Sequence, residues 1–320
     1  MTDAGPTADL LTRVFPDAAR PLDEAFVTWL YEQCPYGPGI EANYDDESAE
    51  PVPGTGRRRI AHYALVPAVY SRDGIETPFV FSLNACVDPT AQRGGYFTRM
   101  GNEVYEKAAA QGIVGVVGVS NANSTPAVVS KLHWKLVGPL PVRVCVPRPG
   151  RARGFEHRAV DAAFLRGPDL ADLAASIDPS VDHRWEQVWA GPFLRWRLGR
   201  PDGEYVVHAS ADFFVVSTRV HRAGVRFAAV LKILPRGGAS RRGTDPLPGA
   251  AAVAAACAYH RAPFAVYAGF NARVRVGGVP LPMRLRPSPL NLILKSLDRD
   301  VLPQDDFELA TFEFLDSDAY

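Results

Sequence analysis

No two of the four cysteines, Cys34, Cys86, Cys145 and Cys257, lie close enough in the chain to make a C-x-x-C pair. That spacing excludes a structural zinc clamp and a disulfide-built scaffold, and the cysteines read as buried thiols of a reducing compartment. Charge of one sign is not in excess either. With 35 basic and 35 acidic residues, no global field draws the chain to nucleic acid or to an anionic membrane surface. Met1 to Leu11 alternates small, acidic and polar residues, and the longest small apolar run, Gly249 to Ala258, is too short to cross a bilayer. The expectation is a cytoplasmic protein with no nucleic-acid and no membrane partner. His62, His133, His208, His221 and His260 show neither H-x-H nor H-x-x-x-H spacing, which predicts structural histidines and no metal site.

Apolar residues are plentiful: 47% of the 320 residues are hydrophobic, enough for two cores or one large one. Leu22 to Gln33 reads as a helix, ended by the cluster Pro35-Tyr36-Gly37-Pro38-Gly39, and an acidic loop runs from Tyr44 to Glu50. Ile60 to Tyr70 and Pro78 to Val87 read as paired strands about the turn Ser71-Arg72-Asp73-Gly74. Phe97, Met100, Val104, Tyr105 and Ala108 share one helical face, and Ile113 to Val119 is a strand buried on both sides. A short helix capped by Ser124, with Pro126 in its first turn, leads to one strand from Trp134 to Val146.

Pro147 to Arg158, rich in Pro, Gly and Arg, reads as a linker. Beyond it, Pro168 to Ser176 and His183 to Trp189 read as helices, and Tyr205 to Val220 and Val225 to Leu234 as strands. Trp185, Trp189, Phe193 and Trp196 recur at three- and four-residue steps, the pattern of one buried helical face. An Arg/Gly loop containing Arg236-Gly237-Gly238 and Arg241-Arg242-Gly243 then precedes an Ala-rich helix, Gly249 to His260, and a strand, Phe264 to Ala268. This order repeats that of the first half, and an Asn follows a late strand in each, Asn121 and Asn271. The reading is a duplicated α/β or α+β domain with halves at 1–150 and 151–320.

The chemistry lies in Val87-Asp88-Pro89-Thr90-Ala91-Gln92-Arg93-Gly94-Gly95-Tyr96-Phe97. Here a strand, a glycine loop and a helix N-terminus follow one another directly. Backbone N–H groups, the helix dipole and Arg93 converge, and the glycines let a phosphate approach the main chain. The phosphate loops G-x-x-x-x-G-K-S/T and G-x-G-x-x-G are both absent.

The spacing resembles the acetyl-CoA signature of the GNAT acyltransferase superfamily, Q/R-x-x-G-x-G/A, with Gln92 first, Gly95 fourth and Phe97 in the sixth place. Downstream, Asn121-Ala122-Asn123-Ser124 and Lys131-Leu132-His133-Trp134 resemble the superfamily's Asn-containing segment and its closing K-L-G-F turn, so the likeness spans residues 58 to 146. It implies two tandem GNAT-like mixed sheets flanked by helices, the second degenerate. It also implies an N-acyltransferase that takes acetyl-CoA or another acyl-CoA and a small-molecule amine acceptor.

The resemblance also assigns roles. Amides of Arg93, Gly94, Gly95, Tyr96 and Phe97 would bind the pyrophosphate, and the main chain at Ala85, Cys86 and Val87 would hold the pantetheine arm and polarise the thioester carbonyl. Asn121 would bond the arm, and Ser124 would cap the helix beside it. The family's acidic Tyr falls on Val129, and its carboxylate base falls among Ser82, Asn84 and Cys86. That leaves Tyr36, Tyr44 or Glu47 to supply proton-transfer groups, or else a non-catalytic acyl-CoA-binding or sensing protein. Cys86 itself reads as core rather than nucleophile.

Overall fold

A computed structural model describes residues 3–18, 20–46, 58–148, 150–179, 182–222, 224–239, 245–286 and 289–317. The first half runs α1 (Ala4–Val14), α2 (Glu24–Glu32), β1 (Ile40–Asp45), β2 (Arg59–Arg72), β3 (Ile75–Val87), α3 (Tyr96–Ala110), β4 (Gly115–Ser120), α4 (Thr125–Leu132), β5 (Lys135–Pro139) and β6 (Val142–Cys145). The second runs β7 (Glu156–Ala159), α5 (Ala162–Arg166), α6 (Pro168–Ala175), β8 (Glu186–Gln187), α7 (Gly191–Leu198), β9 (Val206–Ala209), β10 (Phe213–Arg222), β11 (Val225–Pro235), β12 (Leu247–Pro248), α8 (Ala250–His260), β13 (Ala265–Asn271), β14 (Val274–Arg275), β15 (Val279–Pro280), β16 (Asn291–Ser296) and β17 (Thr311–Glu313).

Local chemistry explains many of these boundaries. The Asp23 carboxylate accepts from the Phe26 amide and starts α2. Asp73 and Gly74, with φ of 52° and 79°, make the two-residue turn that joins β2 to β3. At the end of α4 His133 adopts the left-handed conformation, φ 55°, where a glycine is the usual occupant.

Among the described residues the strands form a seven-stranded sheet, ordered β1-β2-β3-β4-β16-β5 with β8 on the far end of β2, and an eight-stranded sheet, ordered β15-β6-β13-β11-β10-β9-β7 with β17 on β13. The sheets exchange strands across the middle of the chain. β16 inserts between β4 and β5 of the first sheet, and β6 pairs with β13 in the second. The single strand expected from Trp134 to Val146 is therefore two, parted at Leu140-Pro141, where the Leu140 amide turns to the carbonyl of Leu290. Pro139 and Pro141 cannot donate to a ladder, which favours the break there.

The helix expected over His183 to Trp189 is extended chain. Glu186 and Gln187 pair with Ser71 and Tyr70 at the edge of β2, and edge pairing outweighs the helical spacing of the aromatics. Of those aromatics only Phe193 and Trp196 lie on a helix, α7, yet all four are buried. The strand expected over Tyr205 to Val220 is a hairpin, β9 and β10. The acidic residues 47–50 and Arg241-Arg242-Gly243 lie outside the described residues.

One face of the first sheet packs on α3 and α4 through Val80, Met100, Val104, Tyr105, Val116 and Leu132. The other meets α1, α2 and the second half in one continuous core that includes Phe26, Trp29, Phe81, Phe193 and Phe312. The groove at the end of β3 and β4 thus has a different environment on each side.

Candidate functional site

The phosphate-loop sequence forms a 3-10 turn, Pro89–Gly94, closed by Gly95 in the left-handed conformation, φ 68°. Gln92, Arg93 and Gly94 lie in the turn, and Tyr96 and Phe97 open α3. Space beside Gly95 is open: a Cβ there would meet nothing within 4 Å. Among the described residues no side chain caps α3, so the first-turn amides of Tyr96, Phe97 and Thr98 have no intrahelical acceptor. Asp88 anchors the turn by accepting from the amide and hydroxyl of Thr90 at 3.0 and 2.6 Å, and it pairs with Arg13 and Arg58. Burial alone would raise the Asp88 pKa, but the Thr90 bonds and the two guanidiniums hold it below the usual carboxylate range.

Just upstream, β3 and β4 part. They pair in parallel from Phe79 with Gly115 to Ser82 with Gly118, after which both continue, to Val87 and Ser120. On its other edge β3 carries a bulge. Leu83 faces Ala64 and Cys86 faces His62, so Asn84 and Ala85 share one position of β2, and Asn84 is left-handed, φ 51°. Beyond Ser82 the main chain of β3 toward β4 has no ladder partner among the described residues.

Ala85 and Val87 of β3, Tyr96 and Phe97 of α3, and Val129 of α4 are partly buried against one cluster. The structure therefore packs the end of β3, the start of α3 and α4 against the same cluster. Val129 brings no proton donor. Cys86 is buried, and desolvation pushes its thiol up to about 12, which makes it core rather than nucleophile.

Asn121 and Ser124 take roles other than those expected. Ser124 makes no side-chain cap. Instead the Asn121 side-chain Oδ1 accepts from the amides of Asn123 and Ser124 at 3.0 and 2.9 Å, and the Ser124 hydroxyl accepts from the Asn121 main-chain amide. Asn271 makes the same turn after β13, accepting from Arg273 and Val274 at 2.9 and 3.0 Å, so the sequence repeat is a repeat of geometry.

Tyr36 and Tyr44 lie on opposite faces of the first sheet. Tyr44 donates to Glu103 of α3 at 2.9 Å, while Tyr36 stacks on Phe193 with ring centroids 5.3 Å apart; Glu47 lies outside the described residues. A narrow cavity on the Tyr36 side is walled by Leu30, Val66, Phe81, Leu83, Phe193 and Trp196. Gln187 also lines it, and its Oε1 has no partner among the described residues.

Sequence reasoning missed a polar chain at the bulge. Asn84 Nδ2 donates to the Tyr31 hydroxyl at 2.7 Å, Tyr31 lies 3.2 Å from His62 Nε2, and His62 Nδ1 lies 2.6 Å from Asn43 Oδ1. Burial pushes His62 down to about 3, so it is neutral. The one trace of this in the sequence is an Asn inside a strand, a residue disfavoured there.

In the second half the equivalent features are filled by the chain itself. β11 and β13 pair from Ala228 with Ala265 to Val230 with Tyr267 and then part. β17 lies in that gap, with Glu313 opposite Gly269 and Thr311 opposite Asn271. In the Arg236-Gly237-Gly238 loop the Gly238 amide donates to the Asp178 carboxylate at 2.7 Å and the Gly237 amide to the Ser176 carbonyl at 2.9 Å. A carboxylate of the protein already holds a loop amide that an anion would use.

No protein-family model and no curated protein matches the sequence. Solved structures do match. A conserved protein from Enterococcus faecalis, described as a probable N-acyltransferase, superposes with a TM-score of 0.59 at 10% identity, over 92% of this chain and 70% of its own. A GCN5-related N-acetyltransferase from Anabaena variabilis gives 0.56 at 9% identity, over 91% and 70%. The fold is that of the GCN5-related N-acetyltransferases. Yeast N-myristoyltransferase with bound myristoyl-CoA shares it at a TM-score of 0.51 and 10% identity, over 90% of this chain and 78% of its own. The fold comprises two mixed sheets, and in the second the strand gap and the glycine loop are occupied by the chain itself. At these identities the likeness is one of fold, and activity has to be argued from the site.

Proposed function

We propose that this protein is an N-acyltransferase that moves an acetyl or other acyl group from acyl-CoA to a small-molecule amine. The carrying observation is the open pair of features in the first half: an uncapped helix N-terminus behind Gly95 and, beside it, the parted strands β3 and β4. The amides from Arg93 to Phe97 would bind the pyrophosphate, and the arm would lie along Ala85 to Val87 and past Asn121, whose Nδ2 stays available while its Oδ1 serves the turn. Residues 1–150 would thus hold the coenzyme and 151–320 would serve as scaffold and acceptor wall.

Acyl-CoA supplies an activated thioester. The main chain at the bulge would polarise its carbonyl, and the amine would approach that carbonyl from the other side of the thioester. The amine lone pair forms the new C–N bond, the C–S bond breaks, and a proton from the amine goes to the departing thiolate, giving amide and free CoA. Val129 offers no acid for that proton, so orientation and polarisation carry most of the catalysis. That same absence favours the second reading, a protein that binds acyl-CoA without turning it over.

Calorimetric titration of acetyl-CoA and CoA into the protein and a Gly95→Trp variant is the test. One site per chain is expected, lost in the variant; no binding by the unaltered protein overturns both readings. A screen of amines for release of free thiol then separates the transferase from the binder.

A further inference from the structure

The polar chain behind the bulge has a single direction. Asn43 Nδ2 donates to Glu41 at 3.1 Å, which turns its Oδ1 toward His62. Neutral His62 must then donate from Nδ1 to Asn43 and keep a lone pair at Nε2, which receives the Tyr31 proton. The Tyr31 oxygen, its proton committed, accepts from Asn84 Nδ2 at 2.7 Å. Tyr31 and His62 are fully buried, and the only residue of the chain on the parted strands is Asn84. Asn84 is left-handed, a conformation that a side chain seldom adopts without local support, and the same residue makes the bulge.

We propose that Tyr31 and His62 are positioning residues of the thioester site, which clamp the Asn84 side chain and so aim the main chain of the β3 bulge at the thioester carbonyl. This rests on the acyl-CoA reading above. The clamp acts from α2 and β2, behind the strand, and touches no substrate. It sets carbonyl polarisation from the bulge while leaving the pyrophosphate loop alone.

The test follows the carbonyl stretch of isotope-labelled acetyl-CoA by infrared difference spectroscopy, which needs no acceptor, together with calorimetry of free CoA. Binding to the unaltered protein is expected to move the stretch to lower frequency. Tyr31→Phe and Asn84→Gly should lose about half or more of that displacement. Both should bind free CoA within about twofold of the parent, because the pyrophosphate loop, which carries most of the coenzyme's binding, is untouched. Glycine accepts the left-handed conformation, so Asn84→Gly carries the test even if Tyr31→Phe does not fold.

An unchanged stretch in the variants, or a loss of CoA affinity in step with it, overturns the clamp and leaves a structural role. CoA binding with no carbonyl displacement in the parent overturns the clamp alone. Absence of CoA binding removes the acyl-CoA reading and the clamp with it.

Discussion

Trp29 and Trp196 stack with ring centroids 5.1 Å apart, and each donates its indole N–H to the other's main-chain carbonyl at 2.8 Å. They come from α2 and α7, so the reciprocal pair ties two helices 167 residues apart in the chain. Replacing either by Phe removes a buried indole donor and its hydrogen bond to the other's main chain, at a cost of about 1 kcal/mol. The double variant should cost less than the sum of the singles, with a coupling of about 1 kcal/mol. Urea unfolding of the four proteins measures it, and strict additivity would show that the two indoles act independently.

Acid should destabilise the protein through its buried histidines. His62 and His208 are both pushed from 6.5 to about 3 by burial. The unfolded chain takes up these protons below pH 6.5 and the folded chain does not, so their contribution is complete above pH 6.5 and is lost as pH falls toward 3. The slope is about 1.4 kcal/mol per pH unit for each histidine. Glu313, raised to about 7 by desolvation, works against them, because the folded state keeps a proton that the unfolded chain releases between its ordinary 4.5 and 7. Comparison with His62→Gln and His208→Gln isolates the histidines: each variant should show a slope shallower by about one proton between pH about 6 and about 4. Parallel slopes would mean that the imidazole is charged in the fold.

Lys232 sits with its ammonium 2.8 Å from Asp316 and 3.2 Å from Glu313, all three buried. Burial alone would lower its pKa, but the two carboxylates more than offset this and keep it charged. Lys232→Met strands two buried carboxylates and is expected to cost about 4 kcal/mol, whereas Glu313→Gln removes only a charge that burial already opposes and should cost about 1 kcal/mol. Guanidinium unfolding ranks the two, and equal costs would argue against a shared network.

Gly269 is where β17 comes closest to β13. A Cβ there would lie 2.0 Å from the Phe312 carbonyl oxygen, and φ is 116°. Gly269→Ala should therefore expel β17 from the second gap and expose the C-terminal segment to limited proteolysis, at a cost above about 3 kcal/mol. Protection equal to that of the parent would show that the strands can separate without penalty.

Much of the first half could be read from residues alone. The β2–β3 hairpin follows from alternation about Asp73-Gly74, α3 from the spacing of Met100, Val104, Tyr105 and Ala108, and the glycine loop from Gly94-Gly95. These are local patterns with a local physical cause. The errors have identifiable causes: His183 to Trp189 is extended because β2, distant in the chain, offers an edge, and Ser124 makes no cap because its hydroxyl turns back to Asn121. Tyr31 and His62 were legible only as an aromatic on a helix and a structural histidine. Their partners are Asn84 and Asn43, residues apart in sequence that only the sheet brings together.

The sequence by itself determined the kinds of element, the order in which they repeat and the loop that presents its amides, because turn chemistry and hydrophobic period act over a few residues. The tertiary structure decided which half stays open. β16 crosses into the first sheet and β6 into the second, β17 fills the second strand gap, and Asp178 takes an amide of the second loop. Each of these contacts joins segments far apart in the chain, so it depends on pairing and packing that no local pattern encodes.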